Sequence, residues 1–226
     1  MNANKDLCYA KDKFNIKEIA DFRTEFEVGL APDKEINGTN GIRISITDDE
    51  KMKRIDFANA KLKTGNFSTD ALLAYYEYCG NALTMYSEIV NSELSHIGYR
   101  KFFDILLEND KGTLFHCASG KDRTGFAAIC LLSALGVDRK TVLDDFEASN
   151  VYYDKKRKDI VSFLNEKGID NKVISEVVGL IGVERSTMEE LLKLIDENYG
   201  GMIEYLHNQI GLTDAEINKL CEKYLD

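Results

Sequence analysis

An α/β fold is predicted for this chain: a small, mostly parallel sheet surrounded by many helices. Three observations carry that prediction. Three short apolar or β-branched segments are separated by far more than hairpin turns, so crossover connections are needed. The stretches between them show helical periodicity. From Gly125 onward the pattern is helical throughout. The 226 residues are expected to form one domain, 1–226, able to bury its own core without disulfide or metal staples.

The elements follow in order. Strands are expected over Glu18 to Phe22, Ile42 to Ile46 and Thr113 to Cys117, the first and third being short apolar runs of the buried kind. A long helix opens at Ser68, whose hydroxyl can cap free N–H groups, and runs through LLAYYEYCGNALTMYSEIV. Another covers Tyr99 to Glu108. The run GFAAICLLSAL is apolar nearly all round and reads as a buried helix ended by Gly136. Two later helices open with the capping-box spacings Ser186-x-x-Glu189 and Thr213-x-x-Glu216. Gly200 and Gly201 break the helix before Met202.

Composition excludes several functions. With 29 basic against 39 acidic residues the formal net charge is −10, which opposes nonspecific binding to nucleic acid or anionic lipid. Any anion must meet a local basic site. Five scattered cysteines without a C-x-x-C pair suit free thiols in a reducing compartment, and the three histidines lie far apart in sequence, so neither cofactor nor metal is expected. No apolar run approaches the ~20 residues of a membrane span, so no stable membrane insertion is expected. The first residues, MNANKDLCYAKDKF, lack the apolar core of a signal peptide. A cytoplasmic location is expected, or a secreted one if a leader has been trimmed.

The segment His116-Cys-Ala-Ser-Gly-Lys-Asp-Arg-Thr-Gly125 lies between an expected strand and a buried helix, with Cys117 and Arg123 in a C-x5-R frame. A loop feeding a helix N-terminus turns successive N–H groups inward, and the helix dipole adds positive potential there. Ala118, Ser119, Gly120, Lys121, Asp122 and Arg123 are therefore the expected phosphate-binding residues, with Gly120 permitting the tight turn and Gly125 close packing. The planar fork of Arg123 suits two phosphate oxygens at once. In that setting Cys117 becomes a thiolate nucleophile. The hydroxyl of Thr124 is placed to stabilise it, and His116, expected on the opposite face of the strand, supports the loop from behind. The chemistry is phosphate-ester hydrolysis through a phosphocysteine, without a metal. The rival pattern G-x-x-x-x-G-K-[ST] does not match, because Asp122 follows Lys121.

HCASGKDRTG resembles the signature of cysteine-dependent tyrosine phosphatases, and its Lys-Asp pair resembles the atypical bacterial and fungal branch that acts on phosphotyrosine and often on phosphoinositides. IADFRTEFE, GIRISITDD, DDFEASN and the C-terminal ENYGGMIEYLHNQIGLTDAEINKL are similar to further segments of that branch. The resemblance implies a tyrosine-phosphatase-like fold and a helical lid over the site, formed by residues 151–185. It also implies an N-terminal segment ahead of IADFR that this chain starts too late to hold.

Without Trp, and with Pro32 as the sole proline, the sequence lacks a Trp-Pro-Asp acid loop. Two proton donors remain. Asp48 follows the second strand, near the edge where ligands gather in open parallel sheets, and the resemblance aligns it with an acid. Asp122 lies in the loop itself, where a bound phosphate repels a carboxylate and favours its proton-donating form. Lys121 is expected to contact substrate, and Lys155, Lys156, Arg157 and Lys158 to form a solvated helix face or a head-group contact. The expected function is hydrolysis of phosphotyrosine, with dual specificity an extension. A phosphorylated protein is the expected partner. The alternatives are a phosphoinositide or inositol phosphate phosphatase and a silent phosphate-binding module.

Overall fold

The computed structural model describes residues 9, 11–50 and 68–225. Its sheet has three parallel strands: β1 (Ile16–Asp21), β2 (Asn40–Arg43) and β3 (Gly112–His116), in the order β2-β1-β3. The register pairs Asp21 with Arg43 on one side and with His116 on the other, so all three strands end at one edge. Extended pairing continues past those ends, through Phe22 N–H to the His116 carbonyl (2.8 Å) and Ile44 N–H to the Asp21 carbonyl (2.8 Å). The middle strand thus projects Arg23 and Thr24 beside the segment that follows β3.

The three expected strands are present, with shifted bounds. The largest shift is in β2, which ends at Arg43 rather than Ile46, although Ile46 N–H still reaches the Phe22 carbonyl at 3.5 Å. Strand alternation explains the core. Ala20 and Phe22 point to one face together with Ile44 and Ile46, and all four are buried. Phe22 meets Phe102 edge-on at a 5.3 Å centroid separation and Tyr99 at 5.9 Å.

The helices are α1 (Glu25–Leu30), α2 (Thr69–Cys79), α3 (Ala82–Asn91), α4 (Glu93–Glu108), α5 (Arg123–Ala134), α6 (Arg139–Ala148), α7 (Asp154–Glu166), α8 (Asn171–Ile181), α9 (Arg185–Tyr199), α10 (Met202–Tyr205) and α11 (Asp214–Tyr224). A 3-10 turn, Ser149–Tyr152, links α6 to α7, and a π turn, Leu206–Ile210, follows α10. Every helix and turn after Gly125 continues the expected helical half.

Two local expectations are corrected. The long helix from Ser68 is two helices, because Gly80 takes a left-handed φ of 64° and the Asn81 side chain caps α3 by accepting from Thr84 N–H at 2.9 Å. The break assigns the two helices to different cores: Leu72 of α2 is buried in one, Tyr86, Ile89 and Val90 of α3 in the other. The second correction concerns Ser186, which does not cap. Helix α9 starts two residues earlier, with Glu184 at its N-cap, and its Arg185 bridges Asp144 at 2.6 Å and Glu189 at 3.1 Å, so Glu189 is committed to an ion pair. The Thr213–Glu216 box forms as expected. Arg100 binds the same carboxylate, and its hydrogen bonds hold Glu216 down to about 2.

The larger hydrophobic cluster joins the sheet to α3, α4, α5, α6, α9 and α11. The smaller one consists of Ile160, Leu164, Ile174, Val177, Leu180 and Ile181 from α7 and α8, closed by Leu72. Gly125 lies where α5 crosses α6, and a Cβ there would stand 3.2 Å from the Phe146 ring.

Candidate active site

Strand β3 delivers Cys117, and α5 begins at Arg123, so the intervening loop fills the gap between a strand end and a helix N-terminus. Gly120 has a φ of 69°, the left-handed conformation the turn demands. None of the N–H groups from Ala118 to Asp122 donates to an oxygen of the described residues. Five consecutive unspent donors ahead of a helix dipole are what an anion nest consists of. Cys117 itself is buried.

Arg123 is fixed by a residue that the sequence reading did not single out. Its Nη1 and Nη2 each donate to one oxygen of Glu27 at 2.7 Å, and Nη1 also approaches the Phe22 carbonyl at 3.3 Å and the Thr47 hydroxyl at 3.4 Å. Arg123 is 7% exposed and Glu27 4%. Burial pushes the Glu27 carboxyl up, but the hydrogen bonds and charge of Arg123 together with the bonds from Thr24 outweigh it and hold the group below its ordinary range. Burial likewise opposes the Arg123 charge, and the Glu27 hydrogen bonds with nearby Cys117 raise its pKa in spite of that. With the guanidinium end on Glu27, the Nε–Nη2 edge keeps donors that bond to no described residue. Glu27 is also the third residue of α1, where its Oε2 accepts Thr24 N–H at 2.9 Å and the Thr24 hydroxyl accepts Glu27 N–H at 3.3 Å. The spacing Thr24-x-x-Glu27 is a capping box legible in the sequence. Its second duty was not.

Asp122 stands at the N-cap of α5, yet makes no capping bond. Its Oδ1 instead accepts from Lys121 Nζ at 2.7 Å and from the Tyr86 hydroxyl at 2.8 Å. Lys121 is buried, with its ammonium turned to Asp122. The Thr124 hydroxyl is buried and has no hydrogen-bond partner among the described residues.

Asp48 is exposed on the loop after β2, and its Oδ1 accepts Glu50 N–H at 2.8 Å. The adjacent Thr47 touches Arg123, so the loop reaches the site. His116 Nδ1 lies 3.1 Å from the Cys117 carbonyl, while Nε2 lies 3.2 Å from Asp33. The ring therefore meets the Cys117 backbone from behind. Asp21, Asp33 and His116 bring three donor atoms within 4.8 Å of one another, but Arg23 Nη2 bridges both carboxylates, at 2.8 and 2.6 Å, and so supplies the positive charge there.

Over the loop, the Tyr153 hydroxyl donates to the Ser119 carbonyl at 2.5 Å. Burial raises the pKa of Tyr153, partly offset by the Ser119 side chain. In the basic run that follows, Lys155 pairs with Asp159 at 2.8 Å and Arg157 with Glu184 at 3.5 Å.

A family model described as "Tyrosine phosphatase family" matches residues 2–226. The triple specificity protein phosphatase PtpB of Mycobacterium tuberculosis is 32% identical over 124 residues, covering 51% of this chain and 44% of that protein. A tyrosine-protein phosphatase of Nostoc commune is 28% identical over 223 residues, covering 97% of this chain and 68% of that protein. The matched region is thus less than half the length of PtpB. With a family match along nearly its whole length, this chain belongs to the tyrosine phosphatase family.

Proposed function

We propose that the chain is a cysteine-dependent phosphatase that hydrolyses phosphotyrosine, with dual specificity as an extension, on phosphorylated proteins. The observation that carries this is Cys117 at the head of five unspent backbone donors, with Arg123 clamped by Glu27 at the other end. The Cys117 sulfur attacks phosphorus, the S–P bond forms and the P–O bond to the leaving group breaks. The loop amides and the Nε–Nη2 edge of Arg123 hold the equatorial oxygens. A protonated Asp122 gives its proton to the leaving oxygen. Water then attacks phosphorus, its proton returns to Asp122, and the thiolate leaves with the buried Thr124 hydroxyl as its hydrogen-bond donor. His116 supports the loop through the Cys117 carbonyl.

Asp48 is the competing acid, because Thr47 brings its loop against Arg123. Residues 151–185, with α7 and α8, act as a lid over the loop that starts at Cys117, on the strength of the Tyr153 contact to Ser119. No helix among the described residues is long and apolar enough to cross a membrane. A reduced Cys117 suits a reducing compartment.

The test is phosphate release from phosphotyrosine, phosphoserine and phosphoinositide substrates, with Cys117→Ser as control. Release from phosphotyrosine peptide by the wild type, and none by the variant, is expected. Equal release by both overturns the enzyme reading, and faster release from phosphoinositide overturns the choice of substrate. Asp48→Asn should leave the response to leaving group unchanged.

A further inference from the structure

The N-cap position favours Asp because its side chain satisfies a free N–H of the first helical turn. Asp122 occupies that position at the head of α5 and declines that bond. Its carboxylate is instead turned toward a hydroxyl from another helix. Tyr86, buried on α3, donates to Oδ1 at 2.8 Å, and Lys121 Nζ donates to the same oxygen at 2.7 Å. Oδ2 receives no hydrogen bond from the described residues.

We infer that Tyr86 is a positioning residue that decides which oxygen of Asp122 carries the transferable proton. This rests on the reading of Asp122 as the acid. A protonated carboxyl has one hydroxyl oxygen and one carbonyl oxygen, and only the carbonyl oxygen readily accepts two donors. Two donors on Oδ1 make it the carbonyl and leave the proton on Oδ2. As the P–O bond breaks, the Oδ2 proton moves to the leaving oxygen. In the second step the attacking water returns a proton to Oδ2 while the S–P bond breaks. Lys121 alone cannot fix the carboxylate plane, because its ammonium swivels on a flexible stem. The Tyr86 hydroxyl is carried by a ring held in the core, which meets Phe146 edge-on at 6.0 Å. Sequence gave no sign of this, since Tyr86 reads as one more apolar position on an amphipathic helix.

Tyr86→Phe keeps the ring and removes the hydroxyl. The experiment measures kcat/KM for aryl phosphates of rising leaving-group pKa, from nitrophenyl to phenyl phosphate, for wild type, Tyr86→Phe, Asp122→Asn and the double variant, with the melting temperature of each. Tyr86→Phe is expected to slow phenyl phosphate about tenfold, the scale of one hydrogen bond lost in the transition state, and nitrophenyl phosphate less than about twofold. Asp122→Asn should show the same selectivity more strongly, by about 10²-fold or more. In the double variant the loss of the Tyr86 hydroxyl should cost nothing further. Equal slowing of all substrates by Asp122→Asn overturns the acid reading itself. Selective slowing by Asp122→Asn with uniform or no slowing by Tyr86→Phe, or additive effects in the double variant, overturns the positioning role and leaves the acid reading intact.

Discussion

Asn150 holds Val183 by both ends of its amide: Oδ1 accepts the Val183 N–H at 3.0 Å and Nδ2 donates to the Val183 carbonyl at 2.9 Å. A side chain thereby imitates a strand partner and closes the excursion that contains α7 and α8. Asn150→Ala removes both bonds and is predicted to cost about 1–3 kcal/mol, felt locally. Hydrogen exchange should quicken across residues 154–181 and stay unchanged in α4. Uniform quickening would show that the clamp supports the whole fold instead.

Glu27→Gln is predicted to cost about 3 kcal/mol at neutral pH, because it leaves the buried Arg123 charge without its counterion. The pH dependence has a definite sign. Glu27 is held below its ordinary value of about 4.5 in the folded protein, so the unfolded chain binds more protons in the acid range. Its stabilisation is complete above that value and is lost as pH falls through the lower, folded one. Denaturant titrations from pH 7 downward should show the gap between wild type and variant narrowing below about pH 4.5. A constant gap would remove the ionic contribution.

Gly98 of α4 faces the loop that carries Thr47. A Cβ there would stand 2.5 Å from Ile46 Cδ1 and 3.2 Å from the Ser45 carbonyl. Gly98→Ala is therefore predicted to destabilise by about 1–3 kcal/mol and to lower kcat by shifting Thr47 from Arg123. A variant with lowered melting temperature and unchanged kcat would show that the loop adjusts without disturbing the arginine.

Among the described cysteines, Cys130 is wholly buried, and burial pushes its thiol well above the ordinary range. Peroxide should inactivate the protein through Cys117, with mass spectrometry finding sulfenic acid there and Cys130 unmodified until unfolding. Oxidation of Cys130 in the folded state would contradict its burial.

Much of this structure is legible in the sequence. Strand-like runs around Ala20 and Phe115, the helical half after Gly125, the Thr213–Glu216 cap and the loop from Cys117 to Arg123 each have a local cause: side-chain alternation, apolar periodicity or backbone donors at a helix start. Gly80-Asn81 was a readable breaker, outweighed by the apolar residues on either side. The contacts of Glu27 with Arg123 and of Tyr86 with Asp122 span 96 and 36 residues. Such pairings depend on how helices pack, which no local pattern records. Lys121 was expected to face substrate, yet its ammonium is turned to its own neighbour, Asp122.

The two hydrophobic clusters share no buried residue; Ala82, half-buried, packs against both. The loop from Cys117 to Arg123 and the α7–α8 pair therefore draw their cohesion from separate reservoirs. Warming should loosen α2, α7 and α8 while Cys117, Arg123 and Glu27 keep their places, so that the temperature at which turnover fails lies below the temperature at which the chain melts.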